Sequence, residues 1–390
     1  MDALLGNCSL PELAQRKSWK WRTYPPDVLP AFVAEMDFAL AGPVVDAVRH
    51  AVAIGDTGYP HIGELGEAFA SFAGDRLGWS PDPAWIFPIP DVMTGLAEVL
   101  MAVTPPGSGI AISPPVYGPF ALRIGLIGRW VVEAPLRRLD DGSYDLDLDV
   151  LDRVLAGDGV SAYLLCSPHN PIGQVWRTDQ LLAIAEICLR RDVALLVDEI
   201  HAPLVLPGAR HVAFGSLDHE MAQRAYIFTS ASKGWNIAGL KCGLAVATSA
   251  AAATVLTERW ESLLAGHLGV LASVAAFTQP QSLAWLDALV AQIDQNRSLL
   301  AGLLASQLPE IGYVPGRASF LAWLDCRRLG LGDDPAAVFL ERGAVALSPG
   351  PDFGSQGAGF ARLNIGTSPD LMAEAVRRMA VAVTAFRDAR

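Results

Sequence analysis

Short apolar runs alternate with helical segments along most of this chain, and this alternation limits the folds that it can adopt. Seven of the runs are predicted strands, at residues 85–89, 109–113, 130–136, 162–166, 193–197, 225–228 and 243–247. Predicted helices lie before and between them, at residues 43–54, 65–77, 95–103, 117–127, 148–155 and 178–190. Strands that alternate with helices at this spacing indicate βαβ units and a mostly parallel sheet covered on both faces. The predicted fold class is α/β.

The regular alternation of strands and helices ends near residue 283. A long helical pattern covers residues 283–308, and shorter strands follow at 319–324 and 361–365. At 390 residues, the chain is also longer than a single core usually supports. We therefore expect an N-terminal arm that joins part of a small domain (1–45), a large domain (46–282) and a small α+β domain (283–390).

Composition excludes several classes of protein. The formal net charge is 29 − 41 = −12, and only a short basic cluster occurs at residues 16–22, which argues against a nucleic-acid partner. Five well-separated cysteines without a C-x-x-C motif argue against a disulfide framework and a zinc site. We expect a reducing compartment, the cytoplasm, and no membrane partner, because the sequence has neither a signal-peptide pattern nor a long apolar run.

Lysine is rare in this sequence. The four lysines are Lys17, Lys20, Lys233 and Lys241. Lys233 follows a predicted strand and a short loop rich in serine. Arginine can hold a positive charge, but only a primary amine that loses its proton can form a Schiff base. A lysine at this position therefore suggests covalent chemistry with a carbonyl group.

Three other predicted strands also end in polar residues, where doubly wound sheets bind ligands. Residues 91–95 start a helix whose free N–H groups could bind an anion, although a plain capped turn is the alternative. Asn170 lies between two prolines in a stiff loop. Asp198 ends a buried strand and needs a partner. A metal site of Asp198 and His201 is a weaker alternative, because no second His/Cys pair stands nearby.

The four strand ends together specify a ligand with an anionic group, a ring hydroxyl, a cationic ring nitrogen and an aldehyde. Pyridoxal 5′-phosphate (PLP) has all four groups. Asn170 would face the hydroxyl, Asp198 the ring nitrogen and Lys233 the aldehyde. The residues expected around the phosphate are Val92, Met93, Ser230, Ser232 and Lys241. We expect no metal in this site.

Seven motifs, spread in order over nearly the whole length, carry a family resemblance. They are A-E-M-D-F (34–38), T-G-Y-P (57–60), S-P-P-V-Y-G-P-F (113–120), S-P-H-N-P-I-G (167–173), D-E-I-H (198–201), S-A-S-K-G-W-N-I-A-G-L-K (230–241) and F-A-R-L-N-I-G (360–366). On these motifs the chain resembles fold-type I, PLP-dependent enzymes of the aminotransferase class I/II superfamily. Within it, the chain resembles the MalY/PatB-type cystathionine β-lyases and other carbon-sulfur lyases. The resemblance implies a seven-stranded, mostly parallel sheet in the large domain.

The resemblance also implies roles for individual residues. Lys233 is then the Schiff-base lysine, and Asp198 pairs with the pyridinium. Asn170 reaches the ring hydroxyl and also the substrate, and Tyr117 stacks on the ring. Arg362 holds the α-carboxylate of the substrate, a bidentate task that suits a guanidinium.

Further contacts follow from the same resemblance. Tyr59 is expected at the cofactor phosphate and substrate of the neighbouring subunit, which implies a homodimer with shared active sites. Asp37 is a further expected substrate contact, and His201 is a cofactor contact where aminotransferases more often carry a tyrosine. Lys241 stands where aminotransferases usually have arginine, and residues 91–94 differ from the usual small-residue phosphate loop.

The implied reaction is β-elimination from cystathionine or another S-substituted L-cysteine, a small amino-acid substrate, to give a thiol, pyruvate and ammonia. Several alternatives remain open. The same scaffold could carry out transamination, or act on a bulky cysteine S-conjugate with or without decarboxylation. A regulatory or binding module could also retain this scaffold. The S-x-x-K pattern at 230–233 fits a serine nucleophile, but its S-D-N and K-T-G partners are missing.

Overall fold

The fold is known from a computed structural model that describes residues 2–6, 8–259 and 263–389. In chain order, its strands are β1 (Leu29–Pro30), β2 (Ile86–Ile89), β3 (Gly109–Ile112), β4 (Trp130–Glu133), β5 (Arg137–Arg138), β6 (Tyr144–Asp145), β7 (Val160–Cys166), β8 (Ala194–Asp198), β9 (Tyr226–Thr229), β10 (Gly243–Ala247), β11 (Gly312–Tyr313), β12 (Leu321–Asp325), β13 (Val345–Ala346), β14 (Ser348–Pro349) and β15 (Phe360–Asn364). Its α-helices are α1 (Asp2–Leu5), α2 (Leu10–Leu13), α3 (Trp19–Arg22), α4 (Gly42–Ala53), α5 (Leu65–Leu77), α6 (Val92–Val103), α7 (Pro119–Leu126), α8 (Leu148–Leu155), α9 (Thr178–Arg191), α10 (Ala231–Gly234), α11 (Ala250–Arg259), α12 (His267–Thr278), α13 (Pro280–Gln307), α14 (Pro335–Gly343) and α15 (Pro369–Asp388).

The seven predicted strands pair into one sheet. Within the described residues its order is β2-β10-β9-β8-β7-β3-β4. The pairs from β4 across to β9 are parallel, whereas β10 runs antiparallel to both β9 and β2. The predicted α/β class with a mostly parallel sheet is confirmed. The predicted strand at 130–136 is three residues too long, since β4 ends at Glu133, although Ala134 N and Leu136 N still donate to the backbone of the segment at Ile112 and Pro114.

Both faces of this sheet are covered. In the central strand β8, Leu195 and Val197 belong to one apolar cluster, and Leu196 belongs to a second cluster on the opposite face. Successive side chains of a strand point to opposite faces, so a strand buried on both sides reads as a continuous apolar run. This is why residues 194–197 lack the polar alternation of a half-exposed strand.

A second, antiparallel sheet lies in the C-terminal part of the chain, in the order β11-β12-β15-β14. The N-terminal arm reaches the same region, because β1 pairs in parallel with β13 through Leu29 and Val345. The arm and the C-terminal part are therefore in direct contact. The division of the chain at residues 45 and 282 stays a prediction.

The sheet register brings three strand ends together. Cys166 of β7 lies opposite Asp198 of β8, and Asp198 lies opposite Phe228 of β9. The loops that follow these strands therefore start side by side, at the edge where such sheets bind ligands. Within the described residues, none of the helices combines the length and apolarity needed to cross a bilayer.

A pair of substitutions in the long helix α13 tests the packing of the core. Leu289 is 0% exposed, so Leu289→Ala should lower the free energy of unfolding by about 2–5 kcal/mol through lost burial and a cavity. Leu299 is 38% exposed on the same helix, and Leu299→Ala should cost about 1 kcal/mol or less. Urea titration measures both values, and equal losses would contradict this packing.

Candidate active site

A cavity of about 330 Å³ lies at the ends of β7, β8 and β9 and at the start of α6. Most of the predicted cofactor residues line it, namely Val92, Met93, Tyr117, Asn170, Asp198, His201, Ser230, Ser232, Lys233 and Lys241. These residues come from six separate stretches of the chain. The fold therefore brings together residues that were predicted from separate sequence motifs.

Lys233 lies in a short helix directly after β9. Ser230 caps this helix, because its Oγ accepts a hydrogen bond from Ser232 N at 2.9 Å and donates one to Cys242 O at 2.7 Å. The Lys233 Nζ donates a hydrogen bond to the Ala34 carbonyl oxygen at 2.8 Å. The amine is therefore held inside the cavity, in contact with the N-terminal segment.

Asp198 is a buried carboxylate at the end of the central strand. Its side chain accepts one hydrogen bond from the described residues, from Ile200 N at 3.0 Å. Burial raises its pKa to about 7, against the effects of that hydrogen bond and of the positive charge of Lys233. Little in its surroundings balances the negative charge of this carboxylate, so a nearby cation would stabilise it. A protonated ring nitrogen would supply that cation.

Burial also lowers the pKa values of two nitrogen bases in the site, Lys233 and His201. It lowers the pKa of Lys233 to about 8, and the nearby charge of Arg362 contributes to the shift. It lowers the pKa of His201 to about 3, so this imidazole is neutral at physiological pH. An amine with a pKa near 8 is partly unprotonated at neutral pH, as a nucleophile or a general base must be.

Arg362 is a residue of β15, the strand between β12 and β14 in the second sheet, and it contacts Asn170. Its Nη1 donates to Asn170 Oδ1 at 3.2 Å, and its Nη2 donates to Phe32 O at 2.9 Å and to Ser348 Oγ at 3.0 Å. The guanidinium carbon lies 4.9 Å from the centroid of the Phe353 ring. These contacts fix the orientation of the guanidinium, as recognition of a carboxylate requires.

The segment at residues 32–38 crosses the site and is held mainly by its backbone. Asn364 Nδ2 donates to the Val33 and Glu35 carbonyls at 2.6 and 2.7 Å, and Asn236 Nδ2 donates to Met36 O at 2.9 Å. The sequence reasoning missed Ala34, which acts through a carbonyl group that every residue has. Ala34 is the first residue of the motif A-E-M-D-F, and this motif is the one signal in the sequence that points to it.

Three predicted site residues do not line the cavity. Arg362 is one of them and contacts the cavity residue Asn170 instead, and the other two are Asp37 and Tyr59. Asp37 is buried, and its Oδ1 lies 2.7 Å from Lys20 Nζ in an ion pair that supports the N-terminal segment. Tyr59 is 91% exposed and stands apart from the cavity of its own protomer. Contacts of Asp37 and Tyr59 with substrate or cofactor stay predictions.

The helix start at the other end of the cavity is suited to an anion. Asp91 caps α6, since its Oδ1 accepts from Thr94 N at 2.8 Å, and its Oδ2 lies 2.8 Å from Lys241 Nζ. The backbone N–H groups of Val92 and Met93 have no partner within the helix. A Cβ at Gly243 would lie 3.3 Å from Val92 N, so glycine keeps this helix start accessible.

These features fit PLP, which this family resemblance implies. The helix start suits a phosphate, Asp198 suits a protonated ring nitrogen, and Lys233 supplies an amine for an aldehyde. The weaker metal alternative gains no support, because the described residues contain no group of three His, Cys, Asp or Glu side chains placed to hold an ion.

The chain belongs to the aminotransferase class I and II family, whose family model matches residues 41–379. It is 42% identical to the "Putative cystathionine beta-lyase" of Mycobacterium leprae, over 98% of this chain and 99% of that protein. It is 33% identical to the cystathionine beta-lyase PatB of Bacillus subtilis, over 92% and 93% of the two chains.

Solved structures agree with this assignment. Cystalysin from Treponema denticola, whose crystal structure contains PLP, superposes with a TM-score of 0.90 at 27% sequence identity. The match covers 99% of each chain. The predicted fold-type I architecture and the predicted family are therefore confirmed.

The raised pKa of Asp198 has a testable consequence for the cofactor-free protein. A carboxyl group whose pKa is higher in the folded state destabilises that state increasingly as the pH rises from about 4 to about 7. Asp198→Asn removes this cost, so the melting temperature of the variant relative to wild type should rise over this pH range and then level off. Calorimetry of both apoproteins measures the difference, and a pH-independent difference would contradict the assignment.

Proposed function

We propose that this protein is a PLP-dependent carbon-sulfur β-lyase that cleaves cystathionine or another S-substituted L-cysteine into a thiol, pyruvate and ammonia. The observation that carries the proposal is the placement of Lys233, Asp198 and Asn170 around one cavity, with Arg362 bonded to Asn170. Relatives named as cystathionine β-lyases align with this chain over nearly its full length.

Each group has a role in binding. Arg362 would hold the α-carboxylate of the amino acid, and its hydrogen bond to Asn170 supports a position of that carboxylate beside the cofactor ring. The Tyr117 side chain would cover one face of the ring. Asp198 would hold the ring nitrogen in its protonated state. The substrate is thereby positioned with its α-carbon near Lys233.

Lys233 carries the proton transfers. In its neutral form, favoured by burial, the amine removes the proton from the α-carbon. The bound PLP supplies an electron-withdrawing ring that makes this proton acidic. The Cβ–S bond then breaks, the electron pair leaves with sulfur as a thiolate, and a double bond forms between Cα and Cβ. Water hydrolyses the resulting aminoacrylate to pyruvate and ammonia.

Transamination is the second candidate, because both reactions begin with removal of the α-proton. Two observations favour the lyase. By the motif resemblance, His201 stands where aminotransferases more often carry tyrosine, and the relatives quoted above are named as lyases. The thiol-side substituent remains open, and a bulky cysteine S-conjugate, with or without decarboxylation, is a further candidate substrate.

We also propose a cytoplasmic homodimer with shared active sites. Tyr59 is exposed on its protomer, and exposed apolar residues Val52 and Ile54 lie nearby in sequence. Exposed apolar side chains of this kind are suited to burial against a second subunit. Tyr59 would then approach the cofactor phosphate of the partner.

Lys233→Ala tests the reaction directly. We expect wild-type holoenzyme to release thiol and pyruvate from L-cystathionine without any added 2-oxo acid. Lys233→Ala should lose turnover by a factor of at least about 10³, since it removes the proton-transfer group, and it should lose the visible absorbance of lysine-bound cofactor. Lys17→Ala, at an exposed lysine, is the control and should keep both. Wild-type activity that strictly needs a 2-oxo acid would contradict the lyase.

Subunit mixing tests the shared site. Lys233→Ala and Tyr59→Ala dimers should each have low activity, whereas a mixed dimer has one site with both Lys233 and Tyr59 intact. Denaturing and refolding the two variants together should therefore restore part of the wild-type turnover, compared with each variant refolded alone. Absence of any recovery, with mixed dimers verified by mass spectrometry, would exclude the shared site.

A further inference from the structure

The phosphate end of the cavity contains an acidic group. Asp91 lines the cavity, and its carboxylate pairs with Lys241 at 2.8 Å. Burial opposes ionisation of Asp91, but hydrogen bonds from Lys241 and Thr94 bring its pKa below the ordinary value. The Asp91–Lys241 pair therefore has a net charge near zero. A phosphate monoester adds about −1.5 to −2 charges at neutral pH, and a helix start supplies only about +0.5.

Arg123 is a third cation on the wall of the same cavity, besides Lys233 and Lys241. It lies on α7, six residues after Tyr117, and its side chain is half-buried. Among the described residues, no hydrogen bond or ion pair involves its guanidinium. Helix α7 packs against α6, the helix that starts with Val92 and Met93. Arg123 is thus an uncommitted cation that lines the same cavity as the helix start suited to the phosphate.

We propose that Arg123 binds the phosphate of the cofactor and compensates for the negative charge of Asp91. The inference rests on the PLP site of the proposed function. A guanidinium offers several N–H donors in a planar arrangement that suits two phosphate oxygens. With Arg123 engaged, Lys241 can stay paired with Asp91 or share its charge with the phosphate, so the acidic cap of α6 is tolerated.

The substitution Arg123→Gln tests this role, with PLP and pyridoxal as paired probes. Pyridoxal has the ring and the aldehyde but no phosphate. Arg123→Gln should weaken PLP binding about tenfold or more, the effect of one lost charged hydrogen bond, and leave pyridoxal binding unchanged. Arg123→Lys keeps the charge without the paired donors and should give an intermediate loss. Fluorescence titration of the apoproteins measures each dissociation constant.

Two further variants sharpen the comparison. Arg153→Gln, at an exposed arginine of α8, is the matched control and should bind both probes as wild type does. Asp91→Asn keeps an N-cap acceptor but removes the negative charge, so it should tighten PLP binding several-fold and leave pyridoxal binding unchanged.

The outcomes separate this inference from the proposed function. Equal weakening of PLP and pyridoxal in Arg123→Gln would overturn the phosphate role, and so would unchanged binding of both. Unchanged PLP binding with a raised KM for an acidic thiol-side substituent would place Arg123 at the substrate instead, and would also overturn it. Wild-type protein that binds neither probe would refute the PLP site itself, whatever the variant does.

Discussion

The active site depends on one costly element, a carboxylate buried at the end of the central strand. Asp198 lies between two parallel neighbours, its side chain accepts a single hydrogen bond from the described residues, and burial raises its pKa to about 7. Isolated buried charge destabilises a fold, so such a group persists where binding of a cation compensates for it. The protonated ring nitrogen of PLP is a cation of suitable size, and its binding would relieve the cost.

The other groups of the site are arranged around this carboxylate by two parts of the chain. Lys233 lies in the short helix after β9, and Asn170 lies in the loop after β7, so both follow strands of the large sheet. The second sheet supplies Arg362. Its guanidinium donates hydrogen bonds to Asn170 Oδ1 and to the Phe32 carbonyl in the N-terminal segment. That segment returns to Lys233 through Ala34 O. Arg362 and Lys233 are therefore both hydrogen-bonded to the N-terminal segment, which connects the second sheet with the large sheet at this site.

Much of this arrangement could be predicted from the sequence, and the failures have physical causes. Strands buried on both faces give continuous apolar runs, so β8 and β9 were found within a residue or two. The antiparallel direction of β10 was not predictable, because its apolar residues fit either orientation. Lys233 and Asp198 were identified by unusual residue types at strand ends. Ala34 was missed because it contributes a carbonyl group.

Pairing between residues that are distant in sequence could not be predicted either. Asp37 belongs to the A-E-M-D-F motif, and its carboxylate pairs with Lys20, which precedes it by 17 residues. Arg123 shows the converse case, since an arginine within an ordinary amphipathic helix gives no sign that it faces a cavity. The sequence shows which residues can do chemistry, whereas their partners depend on the packing of distant segments.

The central claim is that Lys233 is the amine that binds PLP. The most direct measurement is borohydride reduction of the holoenzyme, which fixes the cofactor to its lysine, followed by mass spectrometry of the peptides. Because the chain has only four lysines, at positions 17, 20, 233 and 241, the assignment is unambiguous. The account predicts the added mass on the peptide that contains Lys233. Added mass on Lys241, or on no lysine, would contradict it.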